Sequence, residues 1–200
     1  MKANRMITAA AAGLAVVSLA LAACGGEPGA AAVIGSERIS ETAFSQQVQD
    51  VLAAQKKPRD GVDPAITAQT MNMLVVESLV HQLAHQAGIV VTPGQVESIL
   101  IDQDAKLGGR AKVEEFYAQQ YGIAPSQIAD TVRFTVELDA LGKALDPTGT
   151  ADTQRQAVGQ AVAVLSEVLD VTVSPRYGTW DSKNVQLGPV PDDLSVPANA

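Results

Sequence analysis

Two hundred residues with 46% hydrophobic and 18% charged content suffice for one core and are too few for two large domains. Aromatic residues make up only 4%, which argues against an aromatic-rich β-sandwich and for helices packed through Ala, Val, Leu and Ile. The formal charge of −8 repels phosphate and argues against nucleic-acid binding, and a single cysteine can form neither an internal disulfide nor a Cys-rich zinc site.

Lys2 and Arg5 precede an uncharged run from Ile7 to Ala23, the pattern of a secretory signal. Its length also suits a bilayer span of roughly 17–25 residues. The run ends in Leu21-Ala22-Ala23-Cys24-Gly25-Gly26, which resembles the bacterial lipobox. That resemblance implies cleavage before Cys24 and acylation of its thiol. Residues 1–23 are then a lipoprotein signal peptide and 24–30 a lipid-anchored tether, and the protein faces outward on the bacterial cell membrane. Two or three acyl chains anchor durably, whereas one is marginal.

Ala31 to Ser40 reads as two short apolar strands about a Gly35-Ser36 turn. Ser40 or Thr42 can cap a first helix with Phe44, Val48, Val51 and Leu52 on one face. After the 56–61 loop, Asp63-Pro64 opens a second helix running to Ala87, where Gly88 stops it. Thr92-Pro93-Gly94-Gln95 carries a capping-box signal for a third helix, ending near Gly108-Gly109. A fourth is expected over Ala111–Tyr121 and a fifth from Pro125 to Leu145. The sixth, about Asp152 to Leu169, shows Val158, Val162, Leu165 and Leu169 as an apolar stripe. Val171-Thr172-Val173 reads as a strand expected to pair with the chain's opening hairpin. Residues 182–200 read as a disordered tail, rich in Pro, Asp and Ala towards its end.

Few residues invite chemistry. His81 and His85 share a helix face, but Gln82 stands where a zinc protease needs a general-base Glu. Surface histidines, a metal site and a pH-sensitive contact are the open readings, the first preferred. Glu114-Glu115 and Asp192-Asp193 are adjacent pairs that read as solvated charge. No nucleophile elbow, phosphate loop or dinucleotide fingerprint occurs, so no enzyme and no cofactor are expected. Met71 and Met73 read either as bundle core or as the lining of an adaptable groove, because methionine moulds itself to varied partners. Phe116 and Tyr117, with Tyr121, read as packing anchors or as a substrate rim.

Three segments carry a family likeness. Ala32 to Phe44, through Val33-Ile34-Gly35-Ser36 and Ile39-Ser40, resembles the start of SurA-like and PrsA-like chaperone domains. The run from Gly88-Ile89-Val90-Val91-Thr92 through Tyr121-Gly122-Ile123 to Val132-Arg133 is similar to the middle of that family. Val171-Thr172-Val173-Ser174-Pro175-Arg176-Tyr177-Gly178 resembles the family's exit strand, with Ser174 where Asn is common. The likeness implies a mainly α fold over residues 31–181. This is a multi-helix peptide-binding domain like the SurA N-terminal and trigger-factor C-terminal domains, with a small β element from the chain ends. Relatives often insert a parvulin-type prolyl isomerase before the last helix, but a domain of roughly 50 residues or more does not fit between Asp146 and Ala151. The expected function is that of an ATP-independent holdase for unfolded exported proteins, tethered through Cys24. Met71, Met73, Phe116, Tyr117 and Phe134 are the candidate client contacts. The alternative is an envelope adaptor binding one partner.

Overall fold

The computed structural model describes residues 29–191. The segment expected to be a signal peptide, Cys24 and residues 192–200 lie outside them. The first strands are β1 (Ala30–Ile34) and β2 (Glu37–Ser40), followed by α1 (Glu41–Ala54), α2 (Pro64–Gln86), α3 (Pro93–Leu107) and α4 (Arg110–Tyr121). A 3₁₀ turn at Pro125–Gln127 leads into α5 (Ile128–Leu145). The chain then forms α6 (Ala151–Val168), β3 (Val171–Val173), β4 (Trp180–Asp181) and β5 (Gln186–Leu187). The fold is mainly helical with small antiparallel sheets, as the family likeness implies. Among the described residues no helix is long and apolar enough to cross a membrane.

Local chemistry sets the helix ends. Ser40 Oγ accepts the Ala43 N–H, Asp63 Oδ1 accepts those of Ala65 and Ile66, and Thr92 and Gln95 close a reciprocal capping box. Gly108 and Gly122 take left-handed conformations at the ends of α3 and α4. The fifth helix departs from expectation at its start: Pro125 opens a 3₁₀ turn, and the α-helix begins at Ile128.

The strand order β2-β1-β3 puts β1 at the centre. Val33 pairs with Arg38 on one side and Thr172 on the other, so the two ends of the domain close together as expected. A register shift between Ala30 and Ala32 lets the neighbours Ala31 and Ala32 both face inward. The sheet covers the main core, where Ile34, Phe44, Met71, Val75, Leu79 and Leu141 are almost fully buried. Gln82 donates to the Ile34 carbonyl at 3.1 Å and Ser78 to Glu37 at 2.5 Å, binding α2 to the sheet. A second cluster joins α3 to α5 through Val96, Leu100, Ile128 and Val132.

Two boundaries need correction. Ala30 already belongs to β1, so the tether gives way to the sheet one residue early. The expected tail does not begin at residue 182, because β5 pairs with β4 through Trp180–Leu187 and Asp181–Gln186. Strands of two residues leave no periodicity to read. The turn itself was readable: Asp181 Oδ1 accepts the N–H groups of Lys183 and Asn184, an Asx turn.

Candidate functional site

An apolar trough runs along α2. Ile66, Gln69, Met73, Val76 and Val80 recur at spacings of three and four, which makes one stripe of a helix, and this stripe forms the trough's long wall. Two cavities of about 530 and 590 Å³ meet at Val76. The larger is bounded by Met73, Asn72, Phe134 and Leu187. The other is bounded by Val80, Leu138, Val158, Val162 and Val185. Gln69 and Met73 also border a small void of about 10 Å³ beside Tyr121 and the buried Ile66 and Ile123.

Small residues shape the opposite wall. A Cβ on Gly142 would meet Gln154 Cβ at 3.0 Å, so glycine there lets α5 and α6 approach closely. Gly159 differs, because a Cβ there meets nothing within 4 Å and the missing side chain simply leaves the trough open. Asp139 and Arg155 supply charge at the rim, where Arg155 also holds Asp152.

The β4–β5 hairpin lies on this surface. Trp180 Nε1 donates to the buried Ser166 Oγ at 2.8 Å, and the Leu187 N–H donates to Asn72 Oδ1 at 2.8 Å. Val185, at φ +51°, sits in the left-handed region, which costs an L-residue roughly 1–2 kcal/mol.

Of the candidate client contacts, Met73 and Phe134 meet in the trough. Met71 does not: it is fully buried in the main core. The correction follows from helix geometry, since residues 71 and 73 lie about 200° apart around the axis. Phe116 and Tyr117 form an aromatic group with Tyr121, with ring centroids 5.6–6.0 Å apart. Only Tyr121 borders the small void beside Met73. Tyr117 packs on the α3–α5 cluster, and its hydroxyl accepts from Gln103 at 3.2 Å, whereas Phe116 is 39% exposed. The aliphatic lining of Val76, Val80, Leu138 and Val158 carries no residue type that sets it apart in sequence from ordinary helix core. The 3–4 spacing along α2 was the signal that could have found it.

His81 is exposed, as expected of a surface histidine, but it has a buried partner. Its Nδ1 lies 2.9 Å from Oε1 of Glu137, a carboxylate buried between the helices. Glu77, one turn earlier on α2, has its carboxyl pushed up to about 7 by burial first and then by the charges of Asp130 and Glu137. His81→Ala is therefore not neutral: stripping a buried carboxylate of its partner should cost about 1–3 kcal/mol, read as a lower melting temperature. An unchanged melt would show that solvent replaces the imidazole. Among the described residues no group of three His, Cys, Asp or Glu is placed to hold a metal ion.

The architecture is thus a helical domain with apolar cavities along α2 and a β-closure of its two ends. The chain belongs to the SurA-like N-terminal domain family, whose pattern it matches over residues 1–123, and this is a chaperone-type family. The match takes in β1 to α4 and hence the α2 wall, while α5, α6 and the hairpin lie beyond it. No curated protein and no solved structure matches the chain.

Proposed function

We propose that the protein is an ATP-independent holdase, anchored through Cys24 to the outer face of a bacterial cell membrane, that shelters apolar segments of unfolded exported proteins in the α2 trough. The observation that carries this reading is the pair of cavities along α2, lined chiefly by Met73, Val76, Phe134, Leu138, Val158 and Val162, in a chain of the SurA-like family. Weak contacts suffice when a tether keeps binder and client at high local concentration. The proposed role is binding alone, without a catalytic step.

Gly159→Leu gives a selective test. Leucine fills the trough where nothing stands in the way and is a better helix former than glycine by about 0.5–1 kcal/mol. The variant should melt no lower than the parent yet lose the capacity to delay aggregation of a urea-diluted client without ATP. Neither protein should accelerate prolyl isomerisation, whose uncatalysed time is on the order of 10–100 s. A parent that leaves unrelated clients to aggregate but captures one native envelope protein would replace the holdase with an adaptor. The anchor has its own readout: a fatty-acid probe should label the parent and not Cys24→Ala, and equal labelling of both would remove it.

A further inference from the structure

The contact between α2 and α5 has an apolar side and a charged side. On α2, Val76 borders both cavities, while its neighbour Glu77 stands about 100° away around the axis. On α5, Leu138 borders one cavity, and its neighbour Glu137 is buried against His81. The two helices thus present Val76 and Leu138 to the cavity, and Glu77 and Glu137 to a seam beside it. Whatever parts the seam also moves the cavity wall.

The seam holds more carboxylates than cations. From α5 come Asp130 and Glu137, the two charges that act on Glu77, while α1, α6 and the sheet add none among the described residues. The cations at hand are His81, one turn on along α2, and Arg133 of α5. Each is committed elsewhere: Arg133 Nη1 lies 3.2 Å from Asp130 Oδ1, and His81 Nδ1 lies 2.9 Å from Glu137 Oε1. Among the described residues the Glu77 carboxyl has neither a hydrogen bond nor an ion pair.

Protonated, Glu77 is neutral and fits such a seam. Ionised, it is a third carboxylate without a cation and must be hydrated. Its carboxyl is pushed up to about 7, foremost by burial, so the change falls under ordinary conditions. The histidine acts in the same direction, because a protonated imidazole binds a carboxylate as a salt bridge and a neutral one only as a hydrogen bond.

We infer that the α2–α5 seam is a proton-operated latch on the adjoining cavity. Protons on Glu77 and His81 hold the two helices together, and their loss drives Glu77 away from Asp130 and Glu137 and widens the space between Val76 and Leu138. One consequence rests on the client-binding reading above: clients are held more tightly on the alkaline side than in acid.

The probe is Nile red, an uncharged dye that brightens in apolar cavities, added to the full chain from about pH 5 to about pH 8, the span over which histidine changes charge. Emission with the parent should rise several-fold, with its midpoint at about 7. Glu77→Gln, neutral throughout, should lose most of the rise. Asp130→Asn, at an exposed position, should move the midpoint to lower pH, because it removes a charge acting on Glu77 and frees Arg133. Gly159→Leu, which fills the cavity, should stay dark at every pH. Thermal melts verify that each variant is folded, and delay of client aggregation is followed in the same samples. Flat parent emission beside an unvarying delay of aggregation would overturn the latch and leave the holdase standing. An undiminished rise in Glu77→Gln, or a midpoint unmoved by Asp130→Asn, would overturn the assignment to this seam. A rise that survives Gly159→Leu would overturn its link to the cavity. A rise that follows Glu77, with no delay of aggregation at any pH, would uphold the latch and remove the holdase.

Discussion

Ending the chain after Leu169 should unfold the helices together rather than merely strip off a strand. The cut removes β3, so the central strand β1 loses its partners Val171, Thr172 and Val173 and the Ser174 N–H that the Ala31 carbonyl accepts at 2.8 Å. It also removes the buried Val173 and Tyr177, whose ring meets Phe44 edge-on at 4.6 Å. Trp180 and Leu187 go as well. Burial of each such side chain contributes about 1.5–3 kcal/mol when complete, so the loss is on the order of 5 kcal/mol or more. That approaches the whole stability of a domain, about 5–15 kcal/mol. Ending after Asp181 should cost less, about 2–3 kcal/mol, because only β5 with Val185 and Leu187 is lost. Helical circular dichroism through a thermal melt checks both. An unaltered melt of the shorter chain would show that closure by β3 contributes nothing.

Stability should fall as pH rises from about 4.5 to 7 through Glu77. In the folded protein its carboxyl is pushed up to about 7, foremost by burial, from an ordinary value of 4.5. Below 4.5 the group is protonated in both folded and unfolded chains and has no effect. Between the two values the folded state keeps a proton that the unfolded chain has released, so each step up in pH favours unfolding. Above 7 the loss is complete, at about 3 kcal/mol for a shift of this size. Glu77→Gln, neutral throughout, should flatten this window and melt higher than the parent at pH 8. The carboxylates of Asp63 and Asp181 are held low by their hydrogen bonds. Their contribution is lost only in more acid solution, outside the Glu77 window. Parallel stability curves for parent and variant between pH 5 and 8 would show that Glu77 reaches solvent.

Much of the helical framework is written locally. Ser40, Asp63-Pro64 and Thr92 with Gln95 satisfy N–H groups within three residues of themselves, and the glycines at 108 and 122 close helices through their own left-handed conformations. Interactions of that range depend on neighbours in sequence alone, so helix starts and stops can be read there. The pairing of β1 with β3 could also be anticipated, because the hairpin of β1 and β2 leaves one edge of β1 open and Val171–Val173 is the short apolar strand that can satisfy it.

The trough is a different matter. The second helix is apolar around much of its circumference, and nothing in its own residues says which stripe meets the core. Packing decides it: the sheet, α1 and α5 close over Met71, Val75, Leu79 and Val80, leaving Met73 and Val76 half-buried on the cavity side. The same holds for the hairpin, whose two-residue strands take their stability from Asn72 and Ser166 on other helices. It holds too for His81, whose partner Glu137 lies on α5. The sequence by itself determined where helices begin and end and to which family they belong. The tertiary structure alone decided which apolar face stays open, because burial is a property of neighbours that only the folded chain brings together.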